Sequence, residues 1–190
     1  ANLALAKLLR ENKLSETDAR LTADIVYGAA RMRDMLNHII AALLPRPIGQ
    51  LMPEAGVILR LSLYQLRELD RVAPYAVVDE AVKLAKQYAN PPIARLVNGV
   101  LRNYLRRDAG SFLPRREDDL AAYLTLTLSY PRWLVQLLLR EYGEAAAERF
   151  CLAGNSHPGL FLRANTLRLS RDQLAARLAE EGLTAVFGGF

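Results

Sequence analysis

Hydrophobic positions recur at helical spacing through the first two-thirds of the chain. Leu3, Leu5, Leu8 and Leu9 mark a short opening helix. In "LSETDARLTADIVYGAARMRDMLNHIIAALL", Leu21, Ile25, Ala29, Met32, Leu36, Ile39 and Ile40 keep the rhythm that lays one apolar stripe along a helix. Ser15 is a good N-cap, with Asp18 three residues on as a shorter stand-in for the Glu of a capping box. The length fits two helices bent near Gly28, or one long helix. "PRPIG" is a loop. From Pro53 to about Leu69 the chain is nearly apolar on all sides, and such a helix belongs in the middle of a bundle. Pro74 opens the next helix, "YAVVDEAVKLAKQYAN", and Asn90-Pro91-Pro92 closes it.

The next stretch, "ARLVNGVLRNYLRR" at 94–107, mixes arginine with Leu, Val and Tyr. At about 100° per residue, Arg95, Arg102 and Arg106 fall within about 40° of one another. Val97, Val100, Leu101 and Tyr104 lie opposite. The pattern predicts an amphipathic helix with a basic ridge facing out.

Residues 108–119, "DAGSFLPRREDD", read as a linker of Gly, Pro and dense mixed charge. Beyond it, residues 120–157 read as a helical connector. In "SYPRWLVQLLLREYG", Ser129 is the expected cap, Pro131 sits in the first turn and Gly143 is the stop; "EAAAERFCLAGN" follows as another helix. From residue 158 the character changes. "GLFLRANTL" and "LTAVF" read as strands around "SRDQLAARLAEEG", a helix with Ser170 and Gln173 as capping box and Gly182 at its end. Two strands and a helix do not make an independent layer, so 158–190 is expected to be a truncated α/β piece. Overall the fold is expected to be mainly α.

The 190 residues allow one or two domains, and 52% hydrophobic residues suffice for a real core. The net charge of +5 is unevenly placed: residues 1–110 hold 16 Lys and Arg against 11 Asp and Glu, and residues 111–190 hold 9 of each. Any electrostatic footprint therefore belongs to the first part. Arginine dominates lysine; it can fork onto phosphates and stack on bases. One cysteine, Cys151, excludes an internal disulfide. No apolar run reaches the roughly 18 residues of a membrane span, and "ANLALAKLL" lacks a signal-peptide cleavage pattern. A cytoplasmic protein is the default expectation. The chain starts at Ala1 inside a helical pattern, so an upstream piece is expected.

Enzyme chemistry has no foothold in these residues. There is no glycine-rich phosphate loop and no nucleophile elbow. His38 and His157 lack companions at metal-ligand spacing. Cys151, in "AERFCLAG", reads as a small buried residue, and Glu80 as an ion-pair partner of Lys83. No catalytic, cofactor-binding or metal site is assigned. The arginine ridge is the remaining candidate. Arg31 and Arg33 in "GAARMRDML" add to it if the helices are neighbours. Lys7 and Arg10 add basic charge near the start.

Four segments occur in order: "ADIVYGAARMRDMLNHII", "GVILRLSLYQLREL", "YAVVDEAVKLAKQYA" and "ARLVNGVLRNYLR". Together they resemble the NusB-like domain, an all-helical RNA-binding bundle, over residues 1–107. "VDEAVKLAK" and "LVNGVLR" carry most of the likeness. Two protein classes have this domain: free-standing transcription antitermination factors, and cytosine-5 methyltransferases of small-subunit ribosomal RNA. The continuation from "SYPRWLVQLLLREYG" onward, with "LRANT" at 162–166 close to "LRVNT", is similar to the connector and RRM-like subdomain of the methyltransferases. Ser129-Tyr130-Pro131 stands where that family usually has "SHP".

The resemblance implies an RNA-binding portion of an S-adenosylmethionine-dependent ribosomal RNA methyltransferase. In that family the catalytic cysteine follows a proline, in a downstream domain that also binds the cofactor. Cys151 has no preceding proline and takes no catalytic role, so this chain alone is expected to do no chemistry. The RNA contacts expected are Arg95, Arg102 and Arg106 first, then Arg31, Arg33 and Arg107, with Lys7 and Arg10 as a remnant of a basic N-terminal segment. The partners expected are small-subunit ribosomal RNA and the parent's own catalytic domain, with no membrane. The rival readings are an antitermination factor and a protein-docking helical module.

Overall fold

The computed structural model describes residues 2–156 and 160–186. The chain divides into two compact units, Ala1–Asn155 and Ser156–Phe190. The first unit holds α1 (Asn2–Glu11), α2 (Glu16–Arg31), α3 (Arg33–Leu43), α4 (Pro53–Glu68), α5 (Pro74–Tyr88), α6 (Pro91–Leu105), α7 (Leu120–Thr127) and α8 (Arg132–Asn155). The second holds α9 (Arg171–Glu180). Among the described residues there is no strand, and the fold is mainly α, as the periodicity predicts.

The apolar α4 occupies the centre, packed against α2, α3, α5 and α6. Leu59 and Leu63 are fully buried there, beside Leu36, Ile39 and Ile40 of α3 and Val97 and Leu101 of α6. Its contact with α2 is unusually close. A Cβ on Gly28 would stand 2.0 Å from the Tyr64 ring. Gly28 is therefore required for helix approach, and is not the site of a bend. The break comes at Met32 (φ −90°, ψ 20°), whose N–H donates to the Gly28 carbonyl at 2.9 Å. With that close approach the Tyr64 hydroxyl reaches the Asp24 carboxylate of α2, donating to Oδ1 at 3.0 Å.

Helix starts follow the sequence signals in most places. Ser15 Oγ accepts from the Asp18 N–H, and the Ser15 hydroxyl donates to the Asp18 carboxylate at 2.7 Å. Asn90 Oδ1 accepts from the Ile93 N–H at 3.0 Å and starts α6. Ser129 departs from expectation. It has a left-handed backbone (φ 55°), and its Oγ accepts from the Met35 N–H of α3 at 3.1 Å. It thus caps a helix 94 residues away in sequence, one with no cap from its own Met32 side chain. The Leu134 and Val135 N–H groups of α8 donate instead to the Pro131 carbonyl. Gly143 (φ 74°) divides α8 where a helix stop is expected. A second small core lies here, with Leu124, Leu128, Val135, Leu138, Ala147 and Cys151. Within 108–119, residues Ala109–Phe112 form a 3-10 turn, and the buried Phe112 ring stacks on Tyr104, centroids 5.7 Å apart.

In the second unit α9 has its full capping box: the Gln173 N–H donates to Ser170 Oγ, and the Ser170 N–H to Gln173 Oε1. At its end the Leu183 N–H reaches the Leu178 carbonyl and the Gly182 N–H the Ala179 carbonyl, a Schellman motif with Gly182 at φ 79°. The two expected strands are corrected: residues 160–165 and 183–186 have no regular structure and 166–168 form a turn. The reason is pairing. A strand exists only beside another, and among the described residues these segments have no ladder partner. Gly159 and Phe187, which the strand assignments included, lie outside the described residues, as does His157.

Two outcomes follow from the α2–α4 contact. Gly28→Ala overpacks it and lowers unfolding stability by about 1–3 kcal/mol, read as a lower urea midpoint. Burial, then the hydrogen bond to Asp24, pushes the Tyr64 hydroxyl up to about 12 from an ordinary 10.0. The folded state thus keeps this proton after the unfolded chain has lost it. Stability from this group is full below pH 10.0 and is lost as pH rises toward about 12. In Tyr64→Phe that part of the alkaline slope disappears, measurable by urea titrations across the alkaline range.

Candidate nucleic-acid interface

The helices α5 and α6 form an antiparallel hairpin because Asn90-Pro91-Pro92 stops one and starts the other within a few residues. Val97, Val100, Leu101 and Tyr104 of α6 are buried, and Arg95, Arg102 and Arg106 are exposed. Between the helices runs a groove of about 610 Å³. Arg95 and Arg102 line it together with Lys86 of α5. Val78, Val82 and Ala94 supply its apolar floor, and Tyr75 stands at the end near Leu105.

The charges around this groove do not cancel. Arg102 Nε donates to Asn98 Oδ1 at 2.9 Å, a neutral partner on the same wall. Among the described residues, no ion pair involves Lys86, Arg95, Arg102, Arg106 or Arg107. Asp79, the carboxylate in the lining, lies 2.7 Å from Lys83, which also holds Glu80 at 2.8 Å. Hydrogen bonds to Asp79 and then Glu80 hold Lys83 protonated above its ordinary range. The acidic face of α5 is thus partly neutralised within its own helix, and the groove keeps an excess of positive charge. The expected Glu80–Lys83 pair is present, with Asp79 added to it.

The other candidate residues stand apart. Arg106 caps the end of α6, outside the groove lining. The Arg107 guanidinium lies over the Phe112 ring, 5.9 Å from its centroid. Arg31 ends α2, and Arg33 begins α3 and pairs with Asp34 at 3.2 Å. Neither lines the groove. Arg60 donates to Asn37 Oδ1 at 3.1 Å, and burial, then the charge of Arg33, lowers its pKa. Lys7 pairs with Glu11 at 3.8 Å, and Arg10 Nε donates to the Ala6 carbonyl. Lys86 and Tyr75 are groove residues that periodicity on α6 alone misses. The signal was present on α5, where Tyr75, Val78, Asp79, Val82 and Lys86 share one helical face.

Cys151 is buried among Leu124, Val135 and Ala147, and burial pushes its thiol above the ordinary range. A thiol in that state is a poor nucleophile. Among the described residues no cluster of His, Cys, Asp and Glu could hold a metal ion. Nor is any helix among them long and apolar enough to cross a membrane.

Fold and groove together define a class: an all-helical bundle whose α5–α6 hairpin presents a cation-rimmed cleft. A model of the NusB family matches residues 1–106. The chain belongs to the NusB family. A second model, the ferredoxin-like domain of RsmF/B-like methyltransferases, matches residues 130–189. The chain is 36% identical over 185 residues to the probable ribosomal RNA small subunit methyltransferase B of Synechocystis sp., covering 96% of this chain and 41% of that protein. It is 34% identical over 183 residues to the probable ribosomal RNA small subunit methyltransferase B of Bacillus subtilis (96% and 40%). With the ribosomal RNA small subunit methyltransferase B of Pseudomonas putida it shares 33% over 174 residues (92% and 38%). The chain thus spans about two-fifths of the length of these curated relatives.

The buried thiol gives a direct check. Cys151 should stay unreactive toward a thiol-specific chromogenic disulfide in the native chain and react fully after unfolding in guanidinium. Rapid reaction in the native state would place the thiol at the surface.

Proposed function

We propose that this chain is the RNA-binding portion of an S-adenosylmethionine-dependent cytosine-5 methyltransferase of small-subunit ribosomal RNA. Its work is to place the RNA for a catalytic domain belonging to the parent protein. One observation carries this reading: a NusB family match at 1–106 and an RsmF/B-like ferredoxin-like match at 130–189 stand in one chain. The relatives that match along both segments are named as ribosomal RNA small subunit methyltransferases. A free-standing antitermination factor has no use for the second segment. A ribosomal RNA target implies a cytoplasmic protein.

The unpaired cations of α6 support the RNA part of the reading. Arginines with no carboxylate partner can neutralise phosphates, which fixes the orientation of a strand and reads little of its sequence. Arg95, Arg102 and Arg106 carry this role, with Arg31, Arg33 and Arg107 secondary. Lys7 and Arg10 come last; Lys7, like Arg33 with Asp34, has a carboxylate partner in Glu11. The cofactor does not fit this groove. S-adenosylmethionine carries a sulfonium cation, and Lys86, Arg95 and Arg102 rim the cleft with positive charge. No step of the methyl transfer is therefore assigned to these residues.

The test is a fluorescence-anisotropy titration of the chain against small-subunit ribosomal RNA fragments over a series of salt concentrations. Wild type should bind with a steep negative salt slope. Arg95→Glu, Arg102→Glu and Arg106→Glu combined should weaken binding at low salt and flatten the slope by about 2, at roughly 0.7 for each single-strand phosphate that is no longer neutralised. Circular dichroism confirms that the variant is folded. Equal binding by wild type and variant would make the ridge a solvated face and favour a protein-docking role.

A further inference from the structure

We propose that the α5–α6 groove takes single-stranded RNA, with the sugar-phosphate backbone along the α6 ridge and an unstacked base in the cleft against Tyr75. This rests on the RNA-binding reading above and adds the kind of RNA and how it is held.

Three observations converge. The first is the make-up of the groove. Its floor is apolar (Val78, Val82, Ala94), and its cations sit on the rim. A surface that meets only phosphates needs no apolar floor. A base, flat and largely apolar on its faces, does. The second is Tyr75. It is 80% exposed at the second position of α5, at one end of the cleft. An aromatic ring held on a helix, beside cations and open to solvent, is the platform on which proteins stack unpaired bases. Duplex RNA keeps its bases stacked inside and offers nothing to such a ring.

The third is Gly99. At about 100° per residue it lies within about 40° of Arg95, so it falls on the arginine stripe, four residues after Arg95 and three before Arg102. It is exposed, and a Cβ there would meet nothing within 4 Å. The bundle does not need glycine at this position, and an exposed glycine within a helix weakens it. A bare patch of helix between two unpaired arginines lets a polymer backbone approach closely. The spacing agrees. Arg95 and Arg102 stand about 10 Å apart along the helix axis, so the ridge follows a strand over more than one phosphate.

The experiment uses the full chain and two fluorescein-labelled probes, an oligouridylate of about ten nucleotides and a blunt RNA duplex of equal phosphate number. The expected result is tighter binding of the oligouridylate. Tyr75→Ala should weaken it about tenfold and leave the salt slope unchanged, and Tyr75→Phe should bind as wild type. Gly99→Leu should weaken the same probe, with the helical circular dichroism signal retained. If Tyr75→Ala and Gly99→Leu bind as wild type, or the duplex binds as well as the single strand, the groove assignment is overturned. The RNA-binding reading would then still stand provided charge reversal of the ridge abolishes binding. If neither probe nor a ribosomal RNA fragment binds at all, both readings fall.

Discussion

A helix that is nearly apolar all round has to be largely enclosed by others, and α4 imposes that condition on the bundle of the first unit. Its residues Leu59, Leu63 and Tyr64 are buried in turn against α2, α3, α5 and α6. Enclosure fixes where those helices lie and which of their faces remain outside. Burying α4 stabilises the bundle through apolar surface removed from water, at roughly 25 cal/mol per Å². It also forces polar groups on the way in to find partners. The Tyr64 hydroxyl does so at Asp24, and the Ser62 hydroxyl at the Ile58 carbonyl of its own helix. The glycine at 28 is the local condition for the first of these, because any side chain there would hold α2 away from the Tyr64 ring.

The groove is a consequence of the same enclosure. The helix α6 turns its apolar side, Val97, Val100, Leu101 and Tyr104, toward the core. Its other side must then face solvent, and α5 joins it through a short proline-rich link that keeps the two side by side. Two cylinders touching along a line leave a cleft above that line. What fills the rim of the cleft is decided by sequence and not by packing, and here it is cationic.

The helices and the central place of α4 were legible because both are written in spacing and composition. The caps at Ser15 and Ser170 were legible because they are local. Three features were not, and a fourth was legible only in part. The role of Gly28 depends on a side chain from another helix, and nothing in its neighbourhood in sequence distinguishes a bend from a close approach. Ser129 looks like the cap of the helix that follows it, yet its hydroxyl serves α3, through an approach that exists only after α7 has folded back. The segments expected as strands in the second unit are apolar enough, but a strand is defined by its neighbour, and among the described residues those segments have none. The groove was half legible: α6 showed its ridge by periodicity, while Lys86 and Tyr75 became part of the site only when α5 was laid beside it.

Arg46, Arg71, Arg115 and Arg132 also lack an ion pair among the described residues, so what marks the ridge is the gathering of its cations beside one groove. Some arginines elsewhere on this surface find carboxylates: Arg116 forks onto Glu148 through two nitrogens at 3.0–3.2 Å, and Arg140 meets Glu141 at 2.8 Å. The hydrogen bond from Arg116 lowers the Glu148 pKa, and the same interaction raises that of Arg116. Such pairs contribute little to stability when exposed. Along α6, Arg95, Arg102 and Arg106 have no such partner among the described residues. Asp79, the carboxylate close enough to the groove to quench it, is drawn to Lys83. Lys86, Arg95 and Arg102 are left to solvent around an apolar floor. A set of cations kept together at the cost of mutual repulsion, around an apolar floor, has a physical rationale when an anionic chain with flat apolar groups occupies it.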